Sequence, residues 1–198
     1  CWTDKQWDAF KKWYLNNEDS FPDSNERLPS SVMRWGKQSW GKYFVSYIVE
    51  ANKYYIIPYI AMSTNFSEVG QHNYQVDVSH QVPILEGVKY DYEFPDFKDS
   101  VKYDVFFERV FDYATDIGGV MASEICVNLN GTKPSTLGKK YVLSTKNLGS
   151  MSLASFGMAM RPIDSNITIG TVGKGIYLYE TDSSDLEVNI KDPGKARR

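Results

Sequence analysis

"IGGVMASEICVNL", residues 117–129, decides how the second half of the chain is read. It reads as a helix weakened at its start by Gly118-Gly119, since glycine in a helix costs roughly 1 kcal/mol relative to alanine. Just upstream, residues 101–113 read as another helix, with Tyr103, Phe106, Phe107 and Val110 facing inward. Beyond Gly131 the pattern changes. Residues 140–144, 154–160, 166–171 and 175–180 are short apolar runs bounded by Gly, Pro, Asn or Asp, and each is predicted to be a strand.

The first half continues the mixture. Residues 4–15 carry Trp7, Phe10, Trp13 and Tyr14 at spacings of three and four, with Thr3 placed to cap, and predict an amphipathic helix. Residues 16–29 are polar with two prolines and form a loop. A second helix is expected over 39–51, with Trp40, Phe44, Tyr47 and Ile48 along one side. Residues 54–62 are aromatic and β-branched, and predict a buried strand. The expected class is α/β, with α+β open, in which helices pack on a mixed sheet. One domain is expected over residues 1–182, followed by a polar tail over 183–198.

Composition narrows the function. The 198 residues are 42% hydrophobic and 15% aromatic, which supports a core and excludes a disordered chain. A formal net charge of -3 supplies no basic field for nucleic acid or anionic lipid. No apolar run approaches a bilayer span, so no transmembrane segment is expected. Cys1 and Cys126 cannot build a disulfide framework, which suits a reducing compartment. Three Asn-X-Ser/Thr triplets, at Asn65, Asn130 and Asn166, read as chance occurrences rather than glycan acceptors.

The stretch Ser63-Thr64-Asn65-Phe66-Ser67-Glu68-Val69-Gly70-Gln71-His72 holds one of only two histidines. Glu68 and His72 could share a divalent metal or act as a base and its orienting partner. Gly70 lets the backbone approach a ligand, and Ser63 and Asn65 offer hydrogen bonds to sugar hydroxyls or phosphate oxygens. The bland alternative is a polar loop whose His72 bonds locally. His80 reads as a cap beside a short apolar run. Trp35, Trp40, Tyr54, Tyr55 and Tyr59 could face the C–H side of sugar rings; among the tryptophans Trp40, at a helix start, is the better candidate, whereas Trp7 and Trp13 read as core. The sequence contains no P-loop, Rossmann fingerprint, nucleophile elbow or zinc-finger spacing.

Taken in order, several stretches resemble the C-terminal half of bacterial family 2 glycosyltransferases of the GT-A fold, the group that builds capsule and O-antigen polysaccharides. Trp2-Thr3-Asp4-Lys5-Gln6-Trp7 resembles their Trp-rich helix start, and Ser39-Trp40 with the aromatic helix behind it resembles a second such segment. Ile57-Pro58-Tyr59-Ile60-Ala61-Met62-Ser63-Thr64-Asn65-Phe66 and Gly70-Gln71-His72 follow, the latter on the family's Gly-Thr-His. Lys102-Tyr103-Asp104-Val105-Phe106-Phe107-Glu108, Arg161-Pro162-Ile163-Asp164-Ser165-Asn166-Ile167 and Gly175-Ile176-Tyr177-Leu178-Tyr179-Glu180-Thr181 are similar to later stretches. The chain departs from the pattern at Phe66, where glycine often follows the Asn, and at Gln71, where Thr is usual.

The resemblance implies an acceptor-side half whose missing N-terminal partner half would bind a nucleotide sugar and Mn²⁺ or Mg²⁺ through Asp-X-Asp. The acceptor would be a glycan or a lipid-linked glycan. Trp40, Ser63, Asn65, Gly70 and Gln71 become substrate-binding candidates, His72 a late metal ligand and Glu68 a general base. A start at Cys1-Trp2-Thr3 reads as a fragment, inactive alone, from a cytoplasmic enzyme docked at the inner membrane face through its partners. The alternatives are a carbohydrate-binding surface lipoprotein attached through Cys1 and an interaction domain without a small ligand.

Overall fold

The computed structural model describes residues 3–19, 27–58, 60–64, 68–69, 75–76, 81–87, 91, 93–148 and 151–181. The chain divides into two units, one formed by Cys1–Asn52 with Val101–Arg198 and the other by Lys53–Ser100. The expected tail, residues 183–198, lies outside the described residues.

In the larger unit, α1 (Asp4–Asn17) opens with a capping box: Thr3 accepts from the Gln6 amide, and the Gln6 side chain accepts from the Thr3 amide. These bonds satisfy amides that a bare helix start would leave without partners. After the one-turn α2 (Ser30–Met33), α3 (Trp40–Glu50) lays Tyr43, Phe44 and Tyr47 against Phe10 of α1. Phe10 and Phe44 meet edge to face with centroids 5.2 Å apart, as do Tyr14 and Tyr43 at 5.0 Å. The ring quadrupole favours that geometry over flat stacking. Trp13 is tied down by its Nε1, which donates to Glu50 at 2.8 Å. Both helices are where the sequence placed them.

The remainder of this unit is β-rich. Strands β1 (Lys102–Tyr103) and β2 (Arg109–Val110) form one antiparallel pair, and β3 (Asp116–Ile117) and β4 (Val120–Met121) form another. The helices expected over 101–113 and 117–129 are therefore absent. Gly118 and Gly119 have φ of 63° and 90°. Two successive left-handed residues make the tight hairpin turn whose twist matches its strands.

A turn of 3-10 helix (Ala122–Glu124) leads into β5 (Ile125–Asn128). With β6 (Tyr141–Ser144), β7 (Ala154–Phe156) and β8 (Ile176–Glu180) it forms a four-stranded sheet ordered β5-β6-β8-β7. β5 and β6 are parallel, while β8 pairs antiparallel with both β6 and β7. One side of the sheet region is the main core, where Ile125, Val127, Leu143, Ile176 and Leu178 pack with Ile117, Leu129 and Ile167. The alternate residues Cys126, Val142 and Tyr179 form a second cluster. Because both sets are buried, β5 shows no polar alternation, which is why its sequence passed for a helix. The strand expected over 166–171 is instead α4 (Ser165–Ile169), stopped by Gly170 at φ 69°.

The smaller unit contradicts the expected buried strand over 54–62. Residues 53–58 form no ladder, and Ile56 is 87% exposed. Among the described residues, the only strand-like link in this unit is a parallel bridge between Ala61 and Ile84, where the Leu85 amide donates to Ala61 at 3.0 Å. An extended apolar segment becomes a strand only when its amides and carbonyls find a ladder. Tyr54 and Phe97 pair edge to face at 4.9 Å.

Candidate functional site

The residues singled out from sequence divide between the two units. Trp40 is the first residue of α3 and exposes 62% of its surface, with its ring 6.1 Å from Phe44. Trp35 and Trp7 also present broad exposed surface, so the expectation that Trp7 is core is corrected; α1 turns Phe10 inward instead. The Lys42 ammonium fixes the corner before α3. It is buried and donates to the carbonyls of Met33 at 3.0 Å and Trp35 at 3.3 Å.

In the other unit, Ser63 is exposed just after the bridge at Ala61, and the next residue, Thr64, accepts from the Val82 amide at 2.9 Å. Glu68 is exposed. Asn65, Gly70, Gln71 and His72 lie outside the described residues, as do His80 and Tyr59. Among the described residues no three His, Cys, Asp or Glu side chains converge as a metal-ion donor set. No chemical step is derived through a metal ion.

A different constellation is built around the turn joining β1 to β2. The Asp104 amide donates to the Glu108 carbonyl at 2.9 Å, and the Phe107 amide to the Asp104 carbonyl at 3.0 Å. One Asp104 carboxylate oxygen accepts from the amides of Phe106 (2.9 Å) and Glu108 (3.0 Å). The other is ion-paired with the buried Lys133 ammonium at 2.6 Å. That ammonium also stands 5.7 Å from the Phe106 ring centre, a cation–π distance. Asn128, at the end of β5, holds this lysine in place by accepting from its backbone amide at 3.1 Å.

Glu108 is 1% exposed and accepts from the Asn130 amide at 2.7 Å. Burial pushes its carboxyl above the usual range, only partly offset by the Asn130 and Leu129 amides and by Lys133. An acid whose folded pKa is raised contributes stability that is complete below its unfolded pKa. That contribution is lost as pH climbs through the folded value. Glu108→Gln removes the titration. Urea midpoints from about pH 4 to about pH 8 should therefore fall less for the variant than for the wild type. Parallel pH profiles would show that Glu108 titrates alike in both states.

A second network ties the same hairpin to α4. The Tyr103 hydroxyl donates to the Asp164 carboxylate, 3.2 Å from either oxygen, and the Arg109 guanidinium donates to it at 3.1 Å. Tyr103 and Arg109 face each other in the β1–β2 register, so both reach one carboxylate. Burial, reinforced by Asp164, pushes the Tyr103 hydroxyl up and keeps it a donor. Asn166, fully buried, accepts from the Met160 amide at 3.0 Å and donates to Ile163 at 2.8 Å. Its triplet cannot receive a glycan in the folded chain.

Chemically, these groups make a frame rather than a reacting centre. Glu108 is sealed from solvent, and burial pushes the Cys126 thiol up, which disfavours the nucleophilic thiolate. Sequence reasoning missed the frame because Asp104 and Glu108, read on a helix, would be a solvated pair. The available signal was the charged residues threaded through an aromatic stretch. Searches with the chain match no protein-family model, no curated protein and no solved structure.

Proposed function

We propose that the chain is the acceptor-side part of a glycosyltransferase that moves a sugar from a nucleotide donor to a polysaccharide or lipid-linked glycan. The observation that carries this reading is the order of seven resembling stretches along one chain, from Trp2-Thr3 to Glu180-Thr181. Support also comes from the meeting of two of them, since Tyr103 of one bonds Asp164 of the other. Exposed Trp40 and Trp35 suit the C–H faces of sugar rings.

In such a transfer the acceptor hydroxyl oxygen bonds to the anomeric carbon as the bond to the diphosphate oxygen breaks. The electron pair leaves with the nucleoside diphosphate, and the hydroxyl proton passes to a base. Exposed Glu68 is the candidate base, and Ser63, Asn65, Gly70 and Gln71 would shape the acceptor pocket. The donor site and its divalent ion belong, in this proposal, to a preceding half containing Asp-X-Asp. The enzyme would work on the cytoplasmic face of the membrane; among the described residues no helix is long and apolar enough to cross it.

The rival is a carbohydrate-binding surface protein, and the exposed tryptophans suit it equally. Nucleotide binding separates the two. Calorimetry with UDP, with and without Mn²⁺, on the protein of the complete reading frame should show saturable binding for the transferase and none for the rival.

A further inference from the structure

The turn between β1 and β2 presents an aromatic ring in an unusual way. Phe107 has a φ of 59° and is 76% exposed. A bulky residue in the left-handed region is an outlier, and glycine would take the same position without strain. Burial offers no explanation either, because most of the ring faces water. Yet the backbone beneath it is secured on every side. Asp104 accepts from the amides on both flanks of Phe107. Lys133 neutralises that carboxylate. The exposed Asn130 side chain donates to the Phe107 carbonyl at 3.1 Å. Strain held by an over-determined surround is a mark of functional positions, and a ring on a rigid tip loses little entropy on contact.

We propose that Phe107 is a sugar-stacking residue, its ring taking the C–H face of a pyranose in a bound glycan, with the Asn130 amide beside it to meet a ring hydroxyl. The ligand class rests on the acceptor-side reading, and the strained presentation of the ring does not depend on that reading. A flat apolar ring next to a fixed amide matches the two surfaces of a pyranose, one of C–H bonds and one of hydroxyls.

The test is saturation-transfer NMR on the 198-residue chain with maltohexaose, cellohexaose and N-acetylchitohexaose as probes, run on wild type, Phe107→Gly and Phe107→Tyr. Wild type and Phe107→Tyr should transfer saturation to the ring protons of at least one hexaose. Phe107→Gly should bind that hexaose about tenfold more weakly. Its Tm should nevertheless rise by about 2 °C, because glycine relieves the left-handed strain. A ring with only a structural role would give a lower Tm in Phe107→Gly, and that result overturns the proposal. Equal affinity in wild type and Phe107→Gly overturns it too, as does no transfer to any of the three hexaoses. UDP binding by the complete protein is read separately, so either idea can fail while the other stands.

Discussion

Replacing Asp104 with alanine is expected to lower unfolding free energy by roughly 3–5 kcal/mol, because it leaves a buried ammonium without its counter-charge. The Lys133 side chain is 8% exposed, and its ion pair with Asp104 is 2.6 Å long. The same substitution leaves the amides of Phe106 and Glu108 without their shared acceptor. Asp104→Asn keeps an oxygen for those amides but turns an amide N–H₂ donor toward the Lys133 ammonium, losing both the charge and the acceptor there, so it should lose part of the stability that alanine loses. Equilibrium urea unfolding reads both. A loss within about 0.5 kcal/mol for Asp104→Ala is what a surface pair would give, and would remove the frame from under Phe107.

Gly118→Ala should cost about 3 kcal/mol. A Cβ at Gly118 would collide with the Cβ of Ala154 on β7, a contact that no side-chain rotation can relieve. The residue also sits at φ 63°, where an L side chain costs roughly 1–2 kcal/mol on its own. Overpacking adds roughly 1–3 kcal/mol. Gly119 offers the control, since it has positive φ and nothing within 4 Å of its Cβ position. Gly119→Ala should show the backbone cost alone. Adding Ala154→Gly to Gly118→Ala should recover the packing part, leaving that cost and the strand glycine's own penalty. Equal losses for the two glycines, by urea unfolding, would mean that the hairpin does not press on β7.

The helices α1 and α3 were legible because their apolar spacing matches a 3.6-residue period, and β6 and β8 because turn residues bracket short apolar runs. The same logic failed at 101–113. Tyr103, Phe106, Phe107 and Val110 mimic a helical face, and the turn places phenylalanine, not glycine, at its left-handed position. At 117–129 the Gly118-Gly119 pair read as a weak helix start rather than as a hairpin turn, and β5, buried on both faces, lacks the alternation that marks a strand. At 166–171 a short apolar run bounded by turn residues argued for a strand. The helix forms there with its first turn tied by Asp164 and its end set by Gly170.

Less of the candidate site was readable. Trp40 could be placed at a helix start from local pattern alone. The pairing of Asp104 with Lys133, and of Tyr103 and Arg109 with Asp164, joins residues far apart in the chain. Local periodicity carries no information about such pairs. The stretch 63–72 was chosen on residue types, and only Ser63, Thr64, Glu68 and Val69 of it are described.

Nucleotide binding by the protein of the complete reading frame, titrated calorimetrically with UDP in Mn²⁺, bears most directly on the proposed transfer. Saturable binding that disappears when Mn²⁺ is chelated, and that weakens about tenfold in His72→Ala, is the expected result. Absence of UDP binding with or without the metal would contradict it and leave the chain a carbohydrate-binding or interaction domain.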